Sequence, residues 1–169
     1  ESGSAIDVRD EQNVFDYLGL NFVPPEMRED TGEIDRAVDY DFPCIISLND
    51  IRGDLHCHTD WSDGRFRMDE MVEVAHSRGL EYLAITDHSP SATVANGLSP
   101  DRLNSHNHTV RTMGADLSGI ELLTGTEMDI KPDGSLDYSD EVLSELDIVI
   151  ASIHSAMDQD QAIMTKRVI

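Results

Sequence analysis

An α/β fold with parallel strands is what this sequence predicts, and three observations predict it. From Ile51 onward, strand-length segments alternate with helical patterns. Helical connections between strands favour parallel pairing through right-handed crossovers. Hydrophobic residues make up 39% of the 169 residues, which supports one packed domain or a part of a larger one.

The elements follow in order. Residues 1–50 differ from the rest. Asp10 to Leu18 is helical, with Val14, Tyr17 and Leu18 on one face and Gly19 as the stop. Pro24-Pro25, a second helical stretch from Gly32 to Val38, and Pro43 come next. With no arrangement of catalytic residues, this region reads as a linker or the end of a preceding module. Residues 51–169 carry the alternation. Asp54 to Thr59 is a strand, and Met68 to Arg78 is a helix with Met71, Val74 and Ala75 inward, closed by Gly79. Tyr82 to Thr86 is the second strand and Asp101 to Ala115 the second helix of this region. Ile120 to Thr124 is the third strand, Ser139 caps a short helix through Glu145, and Ile148 to Ala151 is the fourth strand.

Charge narrows the partners. Asp and Glu number 34 against 12 Lys and Arg, for a formal net charge of −22, and Lys131 and Lys166 are the only lysines. The acids are dispersed from Asp7 to Asp160, as on the solvated surfaces of halophilic proteins, where salt screens self-repulsion. Duplex binding relies on Lys and Arg neutralising phosphates, so this chain alone is expected to hold DNA poorly. No apolar run approaches the ~20 residues of a membrane span, and no secretory signal is visible. Cys44 and Cys57 give no disulfide framework and read as reduced thiols of a cytoplasmic protein.

The chemistry begins at His56-Cys57-His58. Alternate strand residues share a face, so the two imidazoles point one way and Cys57 the other. Asp63 follows a turn with Gly64 and brings a carboxylate back. Alone, such a pair is a weak signal. However, the second strand ends in Thr86-Asp87-His88, the third leads into Gly125-Thr126-Glu127, and the fourth leads into Ser152-Ile153-His154. Sites in parallel α/β folds are built at these C-terminal strand ends. The mix of imidazole and carboxylate suits Zn, Mn or Fe ions. His56, His58, Asp63, His88, Glu127 and His154 are too many ligands for one tetrahedral ion, so a cluster of two or more divalent ions is expected.

Around these residues the strings Gly53-Asp54-Leu55-His56-Cys57-His58-Thr59, Trp61-Ser62-Asp63-Gly64, Ile85-Thr86-Asp87-His88-Ser89, Gly125-Thr126-Glu127-Met128-Asp129-Ile130 and Ala151-Ser152-Ile153-His154-Ser155 resemble the successive motifs of the polymerase and histidinol phosphatase (PHP) family. The resemblance is to the PHP domain at the C-terminus of bacterial and archaeal family X DNA polymerases. Leu18-Gly19-Leu20, Pro24-Pro25-Glu26-Met27-Arg28-Glu29 and Gly32-Glu33-Ile34 resemble the connector between polymerase and PHP domain. It implies the N-terminal portion of a distorted seven-stranded (β/α) barrel with a trinuclear metal site. His56, His58, Asp63, His88, Glu127 and His154 are then ligands, with Glu127 bridging two ions. The family's further His and final Asp-x-His are expected beyond Ile169. The implied activity is phosphoester hydrolysis at 3′ DNA ends in repair, with His56, His58, Glu127 and His154 in the catalytic centre and DNA presented by a polymerase module. A small-molecule phosphatase of the histidinol phosphatase type and a non-catalytic metal-stabilised module are the alternatives.

Other residues read as bland. His106 and His108 lie in a helix or loop where i and i+2 do not share a face. His76 is expected in solvent, and Arg167 simply exposed. Asp87 and Asp129 are candidates to orient a ligand, and Asp54 to bond a ligand histidine.

Overall fold

The structure, a computed structural model, describes residues 7–169, and the chain divides after Ser47 into two compact units. In the first, helix α1 (Glu11–Leu18) is capped by the Asp10 side chain, which accepts the Asn13 N–H, and ends at Gly19 in the left-handed region at φ 70°. Helix α2 spans Glu33–Asp39. Val23 and Ala37 are buried, and the Asn21 side chain donates to the Ala37 carbonyl at 2.8 Å. Arg28 donates to both Glu11 carboxylate oxygens at 3.0 and 2.9 Å and packs over the Phe15 and Phe22 rings. The region expected as a linker or the end of a preceding module has contacts of its own; residues 1–6 of it lie outside those described. The Val14, Tyr17 and Leu18 face is exposed.

The second unit holds four parallel strands in sequential order: β1 (Gly53–Cys57), β2 (Tyr82–Ile85), β3 (Glu121–Asp129) and β4 (Ile148–Ser152). Helices α3 (Met68–Ser77), α4 (Pro100–Ala115) and α5 (Asp140–Leu143) make the crossovers, and α6 (Gln161–Val168) follows β4. The starts of α3, α4 and α6 have a local cause, whereas Ser139 at the start of α5 makes no side-chain capping bond. Glu70 reaches back to the Arg67 N–H, Ser99 accepts from Arg102 ahead of Pro100, and Asp160 accepts from Ala162 and Ile163.

The apolar core lies between α3, α4 and one face of the sheet, where Cys57, Met68, Val72, Ala75, Leu83, Ile85, Val110 and Ile120 cluster. Leu98, Leu103, Met128 and Tyr138 form a second cluster, and Trp61 packs against both. Burial lifts the Cys57 thiol to about 12, and its Sγ lies 3.2 Å from the Ala84 carbonyl, so it is an inert core group. Ile85 is fully buried beneath both helices. Ile85→Ala is expected to cost about 3 kcal/mol in urea unfolding and Ile85→Val about 1 kcal/mol.

Several expectations are corrected. On α3, Met68, Val72 and Ala75 are buried, the i, i+4, i+7 set, and Met71 packs against the core as expected, whereas Val74 is 49% exposed. The third strand continues through Glu127 to Asp129 instead of stopping at Thr124. Gly125 is what permits this: a Cβ there would lie 2.8 Å from the Ile148 and Thr86 methyl groups. The short helix stops at Leu143, and α6 had no counterpart in the sequence reading. Arg167 is 5% exposed, its guanidinium donating to the Ile130 and Ser155 carbonyls, so it ties the end of β3 to the loop beyond His154.

Candidate metal centre

The ends of the strands carry the polar residues to one place. The β1–β2 register gains one residue on β1 between Asp54 and Cys57. His56 ends up facing His58, their Nε2 atoms 3.1 Å apart, while Cys57 points into the core. The Asp54 carboxylate accepts the His56 backbone N–H at 2.9 Å, so it fixes the strand end and does not bond an imidazole. His88, just past β2, bridges to Glu127 in β3. Glu127 and Asp129 share a face of β3 by the two-residue repeat, and both meet His154, two residues past β4.

Glu127 is the hub. Its Oε2 lies 3.4 Å from His56 Nε2, 3.3 Å from His58 Nε2 and 3.1 Å from His88 Nδ1, and its Oε1 lies 3.2 Å from His154 Nε2. Asp63 completes the group, 3.3 Å from His58 Nδ1 and 3.6 Å from His88 Nε2. Burial alone would raise the Glu127 carboxyl; the Ser152 hydroxyl and the imidazoles of His88, His154 and His56 outweigh it and hold it below the usual carboxylate range. Burial and the neighbouring His88 hold His58 below the ordinary imidazole value, against the pull of Glu127, Asp63 and Asp87.

These are the attributes of a cation site. Buried His58 Nδ1, His88 Nδ1 and Asp129 Oδ2 have no hydrogen-bond partner, although carboxylate oxygens lie near both ring nitrogens. The two facing Nε2 atoms cannot both hold a proton between them, so they either share one proton or turn both lone pairs to a shared cation. Donor atoms of His56, His58 and Glu127, of His58, Asp63 and His88, and of His88, Glu127 and His154 each lie within 4.8 Å of one another. The residues fit divalent ions of the Zn, Mn or Fe kind.

Supporting bonds surround the group. His154 Nδ1 is 3.0 Å from Asp129 Oδ1, which turns its Nε2, also 3.3 Å from Ser152 Oγ, toward Glu127, the carboxylate–histidine pairing found behind metal ligands. Asp87 does not touch a ligand ring. It is fully buried and accepts from Thr59 and Ser62, and with His106 these bonds outweigh burial and hold its carboxyl below the usual range. Ser89 Oγ donates to Asp137 at 2.7 Å and accepts the Asp129 N–H at 2.9 Å, which braces the floor of the site. An open cavity of about 400 Å³ leads away from Asp63, His88, Asp129 and His154 along Ser91 to Ala95, a size that suits small ligands. His76 and His108 are exposed and apart from the centre. Sequence reasoning missed His106, Ser152 and Asp137, whose partners lie 19, 25 and 48 residues away.

Residues 54–168 match the PHP domain family. The chain belongs to the PHP family. Residues 1–29 match the DNA polymerase beta thumb. Over 167 residues, 99% of the chain, it is 43% identical to a Bacillus subtilis protein named DNA polymerase/3′-5′ exonuclease PolX, of which it covers 29%. It is also 35% identical over 103 residues, 60% of the chain and 39% of the relative, to a probable phosphatase of Shewanella sediminis. A probable phosphatase of Acetivibrio thermocellus is 36% identical over 103 residues, again 60% of the chain, and 40% of that relative is covered. The chain thus spans less than half the length of these relatives. PHP membership agrees with the α/β fold and with the His and Glu groups able to hold a metal. Among the described residues no helix is long and apolar enough to cross a membrane.

Proposed function

We propose that this chain is the PHP phosphoesterase part of a family X type DNA polymerase and that it hydrolyses 3′ nucleotide or phosphate ends during DNA repair. The observation that carries the reading is the convergence of four imidazoles on the Glu127 carboxylate. The thumb match at residues 1–29 and the PolX relative favour DNA over a small metabolite. Relatives named as phosphatases support phosphoester chemistry in general. Residues 1–50 would be the end of the polymerase module, residues 51–169 the PHP domain, and the four strands the first part of a seven-stranded barrel.

In this reading His56, His58, Asp63, His88, Glu127 and His154 hold two to three divalent ions, with Glu127 shared between them. The chemistry such ions supply is Lewis acidity, acidifying water and neutralising phosphoryl oxygens. The chain's part is to keep His58 neutral, Glu127 ionised and His154 oriented by Asp129. The cavity along Ser91 to Ala95 receives the nucleotide. With a net charge of −22, the chain leaves the grip on the duplex to the polymerase module. The same dispersed charge is a salt-adapted, cytoplasmic surface, and its melting temperature rises in molar KCl.

Release of nucleotide from a 3′-labelled duplex by the intact protein, beside His56→Ala, tests the assignment. Divalent-dependent release that His56→Ala abolishes is expected; equal hydrolysis by both removes it. The pH profile follows from His58. Its folded value lies below the unfolded one, so the unfolded state binds more protons between the two. The metal-free protein is therefore at full stability above the unfolded imidazole value of ~6.5 and loses stability as pH falls below it. Proton competition releases the metal over the same acidic range. Melting of the metal-free protein between pH 5 and pH 8, about the ordinary imidazole value, checks the sign.

A further inference from the structure

His106 lies outside the metal centre and takes no part in the chemistry above, yet its side chain is fully buried. It projects from α4, and its Nε2 is 3.0 Å from Asp87 Oδ2. The Trp61 ring meets it edge-on at 5.4 Å. Asp87 has its remaining capacity filled from one loop: the Thr59 N–H at 2.8 Å, the Thr59 hydroxyl at 2.7 Å, the Ser62 N–H at 3.2 Å and the Ser62 hydroxyl at 2.5 Å.

The sequence neighbours of these residues matter. Thr59 follows His58, Ser62 precedes Asp63, and Asp87 precedes His88. The network therefore adjoins all three members of one candidate metal group, His58, Asp63 and His88. It contacts neither His56 nor His154. A buried carboxylate bonded by four groups of one loop sets where that loop sits, and a fifth bond from a helix fixes the carboxylate itself.

We infer that His106 is a positioning residue: through Asp87 it fixes the Thr59–Ser62 loop and so the spacing of His58, Asp63 and His88, which sets the affinity for the ion held by those three. This rests on the metal-centre reading above. Any side chain that fills the space without donating to Asp87 leaves the loop free to shift. Asp63, which is half exposed at the loop end, moves furthest.

The test is zinc titration of the metal-stripped intact protein against a chelator, with cobalt(II) visible spectra as a second readout. His106→Phe keeps the ring and loses the donor, whereas His106→Gln restores a donor near Nε2. Expected is a loss of about 10- to 100-fold in the affinity of one metal equivalent in His106→Phe, with the others unchanged and recovery in His106→Gln. The cobalt spectrum of that one equivalent shifts in parallel. Unchanged affinity in His106→Phe overturns the inference. So does equal weakening of every equivalent with no recovery in His106→Gln, which marks a space-filling residue. Should His106→Phe not fold, Asp87→Asn carries the same expectation and the same refutation. Asp63→Ala separates the two levels of the argument: if it loses an equivalent while His106→Phe does not, only the positioning role falls. A wild-type protein that binds no zinc overturns the metal reading itself.

Discussion

Glu127→Gln is expected to remove most of the bound metal and to lower phosphoester hydrolysis by at least roughly 10²–10³-fold, the scale for removing one preorganised electrostatic contact from a catalytic site. The carboxylate lies within 3.4 Å of His56, His58, His88 and His154 together. Glutamine keeps the volume but replaces one acceptor oxygen with an amide that points N–H groups at imidazole lone pairs. Two of the three candidate ligand groups include Glu127, whereas the His58, Asp63 and His88 group does not. Metal analysis of the variant should therefore find at most that remaining equivalent, with the far-UV spectrum unchanged. Full stoichiometry in Glu127→Gln would place the ions elsewhere.

The second large effect is structural. Gly64→Ala is expected to destabilise the protein by about 3 kcal/mol and to weaken metal binding at Asp63. A Cβ on Gly64 would press on the His58 carbonyl and lie 2.6 Å from the Thr59 nitrogen. These are backbone atoms and cannot rotate away, so the strain sits at the upper end of overpacking, about 1–3 kcal/mol. The Gly64 N–H also donates to the Thr59 carbonyl at 2.8 Å, closing the turn that brings Asp63 back to the histidines. Relief of the clash opens that turn. Urea unfolding of the metal-free variant measures the strain, and zinc affinity measures the displaced Asp63. A variant as stable as the parent would show that the turn is more pliant than this close approach implies.

Much of the site was legible because its logic is local. The two-residue repeat placed His56 and His58 together and Cys57 opposite, as the 3.1 Å ring contact and the buried thiol bear out. His88 and His154 follow their strands directly, so recognising the strands was enough to place them. The failures share a physical cause. Gly125-Thr126 looks like a strand stop by composition, but the glycine is there because Ile148 and Thr86 crowd the sheet. On α3, Met71 and Ala75 do face the core, but Val74 is exposed and the buried Met68 and Val72, spaced at i and i+4, were passed over. His106 was judged by its pairing with His108, although its partner is Asp87, 19 residues away. Arg167 was judged by its place near the chain end, although its carbonyl partners include Ile130, 37 residues back. Long-range polar partners leave no periodic trace in sequence.

Side chains from separate strand tips form one candidate cation-binding cluster. Anomalous diffraction from crystals of the zinc- or manganese-loaded protein, with elemental analysis of the same sample, tests it most directly. Two to three ions per chain are expected, each bound by at least two of His56, His58, Asp63, His88, Glu127 and His154, and neighbouring ions ~4 Å apart. An ion-free centre after loading, or anomalous peaks confined to other acidic surfaces, would contradict it.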